Sequence, residues 1–203
     1  MFSILSYAAK IAHRFALPFL REGAVAVDAT VGNGHDTLFL AKEVGNSGRV
    51  YGFDIQSEAL QTTQHKLQEA ECSQQVTLIQ AGHEHMADYI NQSVDVVMFN
   101  LGYLPGGDHS KITGAETTVR AITAGLKILR PGGLMSLVVY TGHPGAAEEM
   151  AAVEGLVAGL NSRDFCVVRS EFVNRLKNPP YLLLVEKDDG SPERRKNIEE
   201  PTA

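Results

Sequence analysis

Short apolar runs alternate with longer amphipathic stretches along this chain. Five runs, at residues 24–28, 49–53, 76–80, 94–99 and 134–140, are rich in β-branched and large apolar residues. Runs of this length and composition predict buried parallel strands. The segments that follow the first, second, fourth and fifth runs predict helices over residues 38–43, 57–70, 112–129 and 146–160.

The last two predicted strands, residues 166–173 and 181–185, have no helix between them. Strand and helix alternation that ends in two consecutive strands predicts an α/β fold: a mostly parallel sheet of about seven strands, helices on both faces and an antiparallel hairpin at one edge. The chain has 203 residues, 44% of them hydrophobic. We therefore predict one domain over residues 1–187 and a disordered, charged tail over residues 188–203.

An N-terminal helix is predicted over residues 4–20, where apolar residues recur at helical spacing. It either packs on the sheet or covers the site, and we expect core packing. Lys10, His13 and Arg14 interrupt this stretch, and no apolar run approaches the ~20 residues that span a bilayer. The sequence therefore predicts a cytoplasmic protein with neither signal peptide nor membrane anchor.

Negative charge is concentrated in one part of the chain. The net charge is −6, and the segment from Glu43 to Asp95 contains eight acidic residues against Arg49 and Lys66, so the remainder is neutral. A local basic patch that binds RNA is compatible with this distribution. The two cysteines have neither metal-site nor CxxC spacing, which is typical of a reducing compartment.

The turn after the first strand, residues 28–37 (DATVGNGHDT), is the first candidate binding site. Gly32 and Gly34 let the backbone approach a ligand, and the following helix offers free N–H groups. The dinucleotide fingerprint needs a small residue where this chain has Thr37. Asp28 with Gly32 and Gly34 instead resembles the acid-x-x-x-Gly-x-Gly pattern of class I S-adenosylmethionine enzymes, which we therefore favour over a nicotinamide enzyme.

The tips of the second and third strands add candidate ligands. Asp54 can accept both hydroxyls of a ribose, with Gln56 beside it, although Asp54 can also simply cap the next helix. Gly82 and His83 follow the third strand, where an adenine ring would lie. His83 and His85 have no third ligand at a recognisable spacing, so we expect no metal.

The loop after the fourth strand, residues 100–108 (NLGYLPGGD), suggests the chemistry. Asn100 offers carbonyl acceptors for an N–H donor, Gly102 allows close approach, and Tyr103 offers a flat face. The first four residues resemble the Asn/Asp-Pro-Pro-Tyr/Phe motif of amino-directed methyltransferases with both prolines replaced. Asp108 can bind an amine, take its proton or only complete the turn.

Residues 2–187 as a whole resemble the small bacterial class I methyltransferases known as rRNA methylases. Residues 27–37, 100–108, 142–144 and 178–180 carry the resemblance. Better characterised members methylate the amino group of 5-aminomethyl-(2-thio)uridine at the tRNA wobble position. The resemblance therefore implies a Rossmann-like fold, S-adenosylmethionine as cofactor and the anticodon region of tRNA as partner, with a homodimer left open.

The residues and the resemblance together predict two sets of site residues. The catalytic set is Asn100, Tyr103 and Asp108. The cofactor set is Asp28, Gly32, Asn33, Gly34, Asp36, Thr37, Asp54, Gln56, Gly82 and His83, with Asp36 or Asn33 near the amino-acid end. The alternatives are methylation of an rRNA base or a small amine by the same fold, a non-catalytic cofactor binder, and an NAD-dependent reductase.

Overall fold

The computed structural model describes residues 5–102, 113–176 and 178–191. The strands are β1 Val25–Asp28, β2 Arg49–Asp54, β3 Val76–Gln80, β4 Val94–Leu101, β5 Leu129–Val139, β6 Phe165–Ser170 and β7 Tyr181–Lys187. The helices are α1 Ala8–Ala16, α2 His35–Val44, α3 Ser57–Glu69, α4 Met86–Tyr89, α5 Ala115–Ile128 and α6 Ala146–Ala158.

The seven strands form one sheet in the order β3-β2-β1-β4-β5-β7-β6. The first five strands are parallel, and β7 lies antiparallel between β5 and β6. The predicted α/β class, strand number and antiparallel edge are confirmed. The carboxyl ends of β1 to β5 therefore share one edge, and the strand order reverses between β1 and β4, where open α/β sheets bind ligands.

Successive residues of the central strands face opposite sides of the sheet, so each strand contributes to two apolar cores. Val27, Val97 and Leu183 pack on the side covered by α4, α5 and α6. Their neighbours Ala26, Val96 and Leu182 pack on the side covered by α1, α2 and α3. Burial on both faces explains why these strands read as continuous apolar runs.

Several predicted boundaries were wrong. Helix α1 spans only Ala8–Ala16, because Pro18 lies in a separate 3-10 helix, Leu17–Phe19. Helix α2 begins at His35, directly after the left-handed Gly34. The fifth strand begins at Leu129, earlier than the predicted residue 134, because Leu129 already pairs with Val94 and a register shift accommodates the next residues. The sixth strand ends at Ser170, not at residue 173.

One short segment was missed altogether: a 3-10 helix, His83–His85, that continues into α4, Met86–Tyr89. Four-residue helices leave too little periodicity to be read from sequence. In the described ranges, no helix is long and apolar enough to cross a lipid bilayer. The predicted tail lies mostly outside the described residues, and the domain boundaries stay a prediction.

Candidate functional site

A cavity of about 460 Å³ lies at the carboxyl edge of the sheet. It receives residues from the tips of β1, β2, β3 and β4, from the start of α2, and from α1 and α5. Eight predicted site residues line it: Gly32, Asn33, Asp36, Asp54, Gln56, Gly82, His83 and Asn100. Its volume is in the range of small-molecule sites, roughly 300–1,000 Å³.

Asp28 lies behind the cavity and holds the turn that shapes it. Its carboxylate is fully buried and accepts hydrogen bonds from Thr37 Oγ1 at 2.5 Å and from the Thr30 amide at 3.1 Å. Burial, and then the negative charge of Asp36, raise the pKa of Asp28 to about 7, although both hydrogen bonds oppose the shift.

Gly34 also shapes the turn rather than lining the cavity. It takes a left-handed conformation (φ 75°) at the N-cap of α2, and a Cβ built on it would lie 2.4 Å from Thr63 Oγ1. Both the backbone angle and the lack of space therefore require glycine here. Thr37, like Asp28 and Gly34, is buried and does not line the cavity.

Asp54 ends β2 and connects two cavity segments. Its Oδ2 accepts from the Gly32 amide at 2.8 Å, and its Oδ1 accepts from the Gln56 amide at 2.9 Å. A carboxylate has about four acceptor positions, so each oxygen can accept a further hydrogen bond. The Asn33 carbonyl beside it accepts from Lys66 Nζ at 2.6 Å, which holds the turn against α3.

His83 forms another part of the cavity wall. It is 8% exposed and lies tilted against Phe99, with ring centroids 5.8 Å apart. Burial lowers the pKa of His83, despite the opposing charge of Glu84, so the neutral imidazole is favoured. Phe53, Ile55 and Ala81 also line the cavity. This part of the cavity suits a flat, uncharged group.

Asp36 connects helix α1 to the tip of β4. Its Oδ1 lies 2.7 Å from His13 Nε2, and its Oδ2 accepts from Asn100 Nδ2 at 2.7 Å. The His13 ring stacks on Phe39 at 3.9 Å, which fixes its plane. Because a carboxylate only accepts, the amide group of Asn100 must present its nitrogen to Asp36, and its Oδ1 is left to accept from a ligand.

The backbone of Asn100 is held as well. Its amide donates to Thr30 Oγ1 at 2.7 Å, which connects the tips of β1 and β4.

Tyr140, after β5, completes this side of the cavity and is 38% exposed. Burial, and then the charge of Asp36, raise the pKa of Tyr140, so the phenol remains protonated at neutral pH.

Gly102 and Thr113, the described residues on either side of the segment 103–112, are held together. The Thr113 amide donates to the Gly102 carbonyl at 3.0 Å. Thr113 Oγ1 donates to the buried Glu149 at 2.9 Å, and Thr118 donates to the same carboxylate at 2.6 Å. A Cβ on Gly102 would lie 3.2 Å from that of Tyr140, so the chain passes close to β5 here. Helix α6 thus holds Thr113 directly, and Gly102 is held through its hydrogen bond with Thr113.

Sequence reasoning predicted eight of the cavity residues but missed others, including polar residues that fix the site. Thr30, Tyr140 and His13 were not predicted as site residues. The signal for His13 was a polar residue within an apolar helix, which was used only to exclude a membrane anchor. The predicted catalytic residues Tyr103 and Asp108 lie outside the described residues and stay predictions. Within the described ranges, no cluster of three or more His, Cys, Asp or Glu side chains is arranged to hold a metal.

Known proteins share this fold and much of the sequence. A crystal structure described as a "putative rRNA-methylase" from Clostridium thermocellum superposes with a TM-score of 0.88 at 43% identity, over 90% of this chain and 98% of that one. A structure described as a "putative methyltransferase" from Streptococcus mutans, in complex with S-adenosylhomocysteine, gives a TM-score of 0.82 at 34% identity, over 92% and 99% of the two chains.

A curated relative is also similar over most of its length. The Arabidopsis thaliana protein named "tRNA (mnm(5)s(2)U34)-methyltransferase, chloroplastic" is 39% identical over 192 residues, which are 90% of this chain and 70% of the relative. A family model described as "Putative rRNA methylase" matches residues 50–186.

Fold, cavity and relatives together define a class I S-adenosylmethionine-dependent methyltransferase with a Rossmann-like sheet. The enzyme class and the cofactor predicted from the sequence are confirmed, and the nicotinamide reductase alternative is not supported. Within that class, the chain belongs to the rRNA methylase family whose model covers residues 50–186.

Proposed function

We propose that this methyltransferase acts on the aminomethyl nitrogen of 5-aminomethyl-(2-thio)uridine at the wobble position of tRNA. The observation that carries the proposal is the fixed amide group of Asn100, whose Oδ1 is left to accept a hydrogen bond at the cavity. An amine nucleophile carries N–H donors that this acceptor suits. The name of the Arabidopsis relative supports the same base and position.

In this proposal, each cavity residue binds the part of S-adenosylmethionine that matches its hydrogen-bonding groups and position. Asp54, with acceptor positions left on both oxygens, takes the ribose hydroxyls, and Gln56 lies beside it. Gly82 and the neutral His83 border the adenine. Gly32 and Asn33 contact the amino-acid part. Asp28, Gly34 and Thr37 contribute indirectly, because they fix the turn behind the cavity.

The catalytic task of the protein is then mainly one of positioning. When bound, S-adenosylmethionine would supply an electrophilic methyl group for the amine lone pair, and the electron pair of the broken carbon–sulfur bond would remain on sulfur. A primary alkylamine has a free pKa of ~10, close to that of lysine, and burial beside Asn100 favours its neutral form. Asn100 Oδ1 accepts one amine N–H and directs the lone pair.

Two residues outside the described ranges complete the proposed site. Tyr103 stacks on the uracil ring, because a flat aromatic face is the usual support for an unpaired base in RNA recognition. Asp108 accepts the proton that the methylated ammonium releases, which restores a neutral amine. Both residues follow Asn100 closely in the sequence.

The test is transfer of labelled methyl from S-adenosylmethionine to tRNA purified from cells that lack the final wobble methylation, with nucleoside mass spectrometry of the product. We expect a gain of one methyl group on the aminomethyluridine. Ribosomal RNA and fully modified tRNA serve as controls. Methylation of a base in ribosomal RNA, with the tRNA left unchanged, would refute the proposed substrate while the enzyme class stands.

A pair of variants tests the role of Asn100. We expect Asn100→Ala to lower the transfer rate by about 100-fold, the size of effect that loss of alignment produces, with cofactor affinity within about threefold of the wild type. Asn91→Ala changes an exposed asparagine and serves as the control. Equal losses of cofactor affinity and rate in Asn100→Ala would assign Asn100 to cofactor binding instead.

A further inference from the structure

A surface at the cavity edge of the sheet combines cations with aromatic side chains. We define the rim surface as Tyr7, Lys10 and Arg14 at the N-terminal helix, with Phe172 and Arg175 from the connection between β6 and β7. Lys10, Arg14 and Arg175 are exposed, and Tyr7 is 66% exposed. Over residues 5–102, 113–176 and 178–191, neither Lys10 nor Arg14 forms an ion pair.

Direct contacts join the two segments of the rim surface. Arg175 Nη2 donates to the Leu5 carbonyl at 2.9 Å, and its guanidinium lies 3.7 Å from the centre of the Phe172 ring. Lys10 Nζ lies 5.8 Å from the centre of the Tyr7 ring. These contacts hold the cations close to aromatic faces, a combination found at sites that bind single-stranded nucleic acid.

Both segments of the rim surface lie at the edge of the sheet that carries the cavity. Helix α1 contributes Ala9 to the cavity wall and His13 to the contact with Asp36. The connection between β6 and β7 lies at the same sheet edge, because Thr141 Oγ1, next to Tyr140, donates to the Asn178 carbonyl. A chain that lies on the rim surface can therefore place one residue into the cavity.

The N-terminal segment and the acidic segment differ in charge and lie on different parts of the sheet. Residues 5–21 include Lys10, Arg14 and Arg21 and no acidic residue, and α1 packs on the β5 and β7 part of the sheet. The acidic segment from Glu43 to Asp95 instead includes β2, α3 and β3, which form the opposite end of the sheet. The N-terminal part of the rim surface, which carries only positive charge, therefore favours a polyanion although the net charge is −6.

We propose that the rim surface binds the phosphodiester backbone of an RNA loop and presents the target nucleotide to the cavity. This inference rests on the proposed function and assigns its docking residues. Lys10 and Arg14 contact phosphates, and the exposed ring of Tyr7 stacks on a base next to the target. Phosphate contacts of this kind give affinity and orientation, and the cavity gives base specificity.

The test measures binding of a fluorescently labelled anticodon stem-loop RNA by anisotropy at several salt concentrations. We compare Lys10→Gln/Arg14→Gln with Lys42→Gln/Arg163→Gln. The control pair removes the same charge from exposed positions at the opposite sheet edge, at the end of α2 and just before β6.

The rim pair should weaken RNA binding about tenfold and reduce the slope of log affinity against log salt by about 2, one per lost phosphate contact. The control pair should change neither, and calorimetry should find cofactor affinity unchanged in both. Equal RNA affinity and equal salt slope in the rim pair and the control pair would refute the docking role of the rim surface. A wild-type protein that binds no stem-loop would refute it as well.

Activity separates this proposal from the proposed function. If the wild type methylates wobble-hypomodified tRNA and the rim pair has an unchanged KM for it, the docking role of the rim surface is refuted and the proposed function is supported. If the stem-loop binds through the rim surface but no wobble base is methylated, the proposed function is refuted and the docking role of the rim surface is supported. Tyr7→Phe should retain the wild-type KM for tRNA and Tyr7→Ser should raise it severalfold; equal KM values would remove Tyr7 from the surface.

Discussion

Asp36 Oδ2 accepts a hydrogen bond from Asn100 Nδ2 at 2.7 Å, and this contact sets which atom of the Asn100 amide meets a ligand. The two residues are 64 positions apart and belong to different βα units, with α2 after β1 and Asn100 near the end of β4. Because His13 binds the other oxygen of the same carboxylate, three elements of the fold determine one side-chain orientation.

Replacing Asp36 by asparagine tests this orientation. An amide can donate to the Asn100 carbonyl, so Asn100 can reverse and present a donor instead of an acceptor. We expect the methyl-transfer rate to fall about 100-fold, with cofactor affinity changed far less. Asp88→Asn, at a carboxyl that is 74% exposed, is the control. A parallel loss of cofactor affinity would identify Asp36 as a cofactor ligand.

His13 should act through Asp36. We expect His13→Ala to lower kcat about tenfold while KM for tRNA changes little, because Asp36 loses one of its two partners and holds Asn100 less firmly. His13→Gln keeps a nitrogen donor and should recover most of the rate.

Steady-state kinetics of both His13 variants test whether His13 acts on kcat through Asp36. The control is His65→Ala, at an exposed position of α3. A purely structural role predicts instead a lower unfolding temperature with an unchanged kcat, and no difference between the alanine and glutamine variants beyond stability.

The Asp28 carboxyl should make stability depend on pH. Its folded-state pKa is raised to about 7 from 3.8, so between these values the folded protein binds more protons than the unfolded chain. The contribution of Asp28 to the free energy of unfolding therefore falls as pH rises from about 4 to about 7 and is level above that.

Asp28→Asn removes this titration but keeps an acceptor for the Thr30 amide. Urea unfolding of wild type and variant at pH 5, 6, 7 and 8 measures the difference. We expect the variant to gain in relative stability up to about pH 7. A stability difference that is constant with pH would be inconsistent with a raised pKa at Asp28.

Two glycines should respond oppositely to alanine. Gly34→Ala should lower the free energy of unfolding by at least about 1–2 kcal/mol, because φ is 75° and a Cβ would meet the Thr63 side chain. Gly155→Ala, in the interior of α6 with nothing within 4 Å of a built Cβ, should raise it by about 0.5–1 kcal/mol. Denaturant titration of both variants checks the pair, and a stable Gly34→Ala would contradict the required turn.

The strand tips were the most predictable part of the site. Asp54 ends β2 and Asn100 lies near the end of β4, as the apolar runs indicated, because both features are local in sequence. The absence of a helix between β6 and β7 indicated the antiparallel edge, whereas the order of the strands was known only from the structure. Boundaries were less accurate, since the start of β5 depends on pairing with Val94, which lies far from it in sequence.

The sequence by itself therefore determined the class of fold, the edge where ligands bind and most cavity residues, because strand periodicity and turn composition are set by neighbours along the chain. Only the tertiary structure decided that His13, Asp36 and Asn100 form one hydrogen-bonded group, and that Asp28 and Gly34 shape the cavity from behind. Such contacts depend on how helices pack across the sheet, and side-chain pairs separated by 23 and 64 residues leave no periodic signal in the sequence.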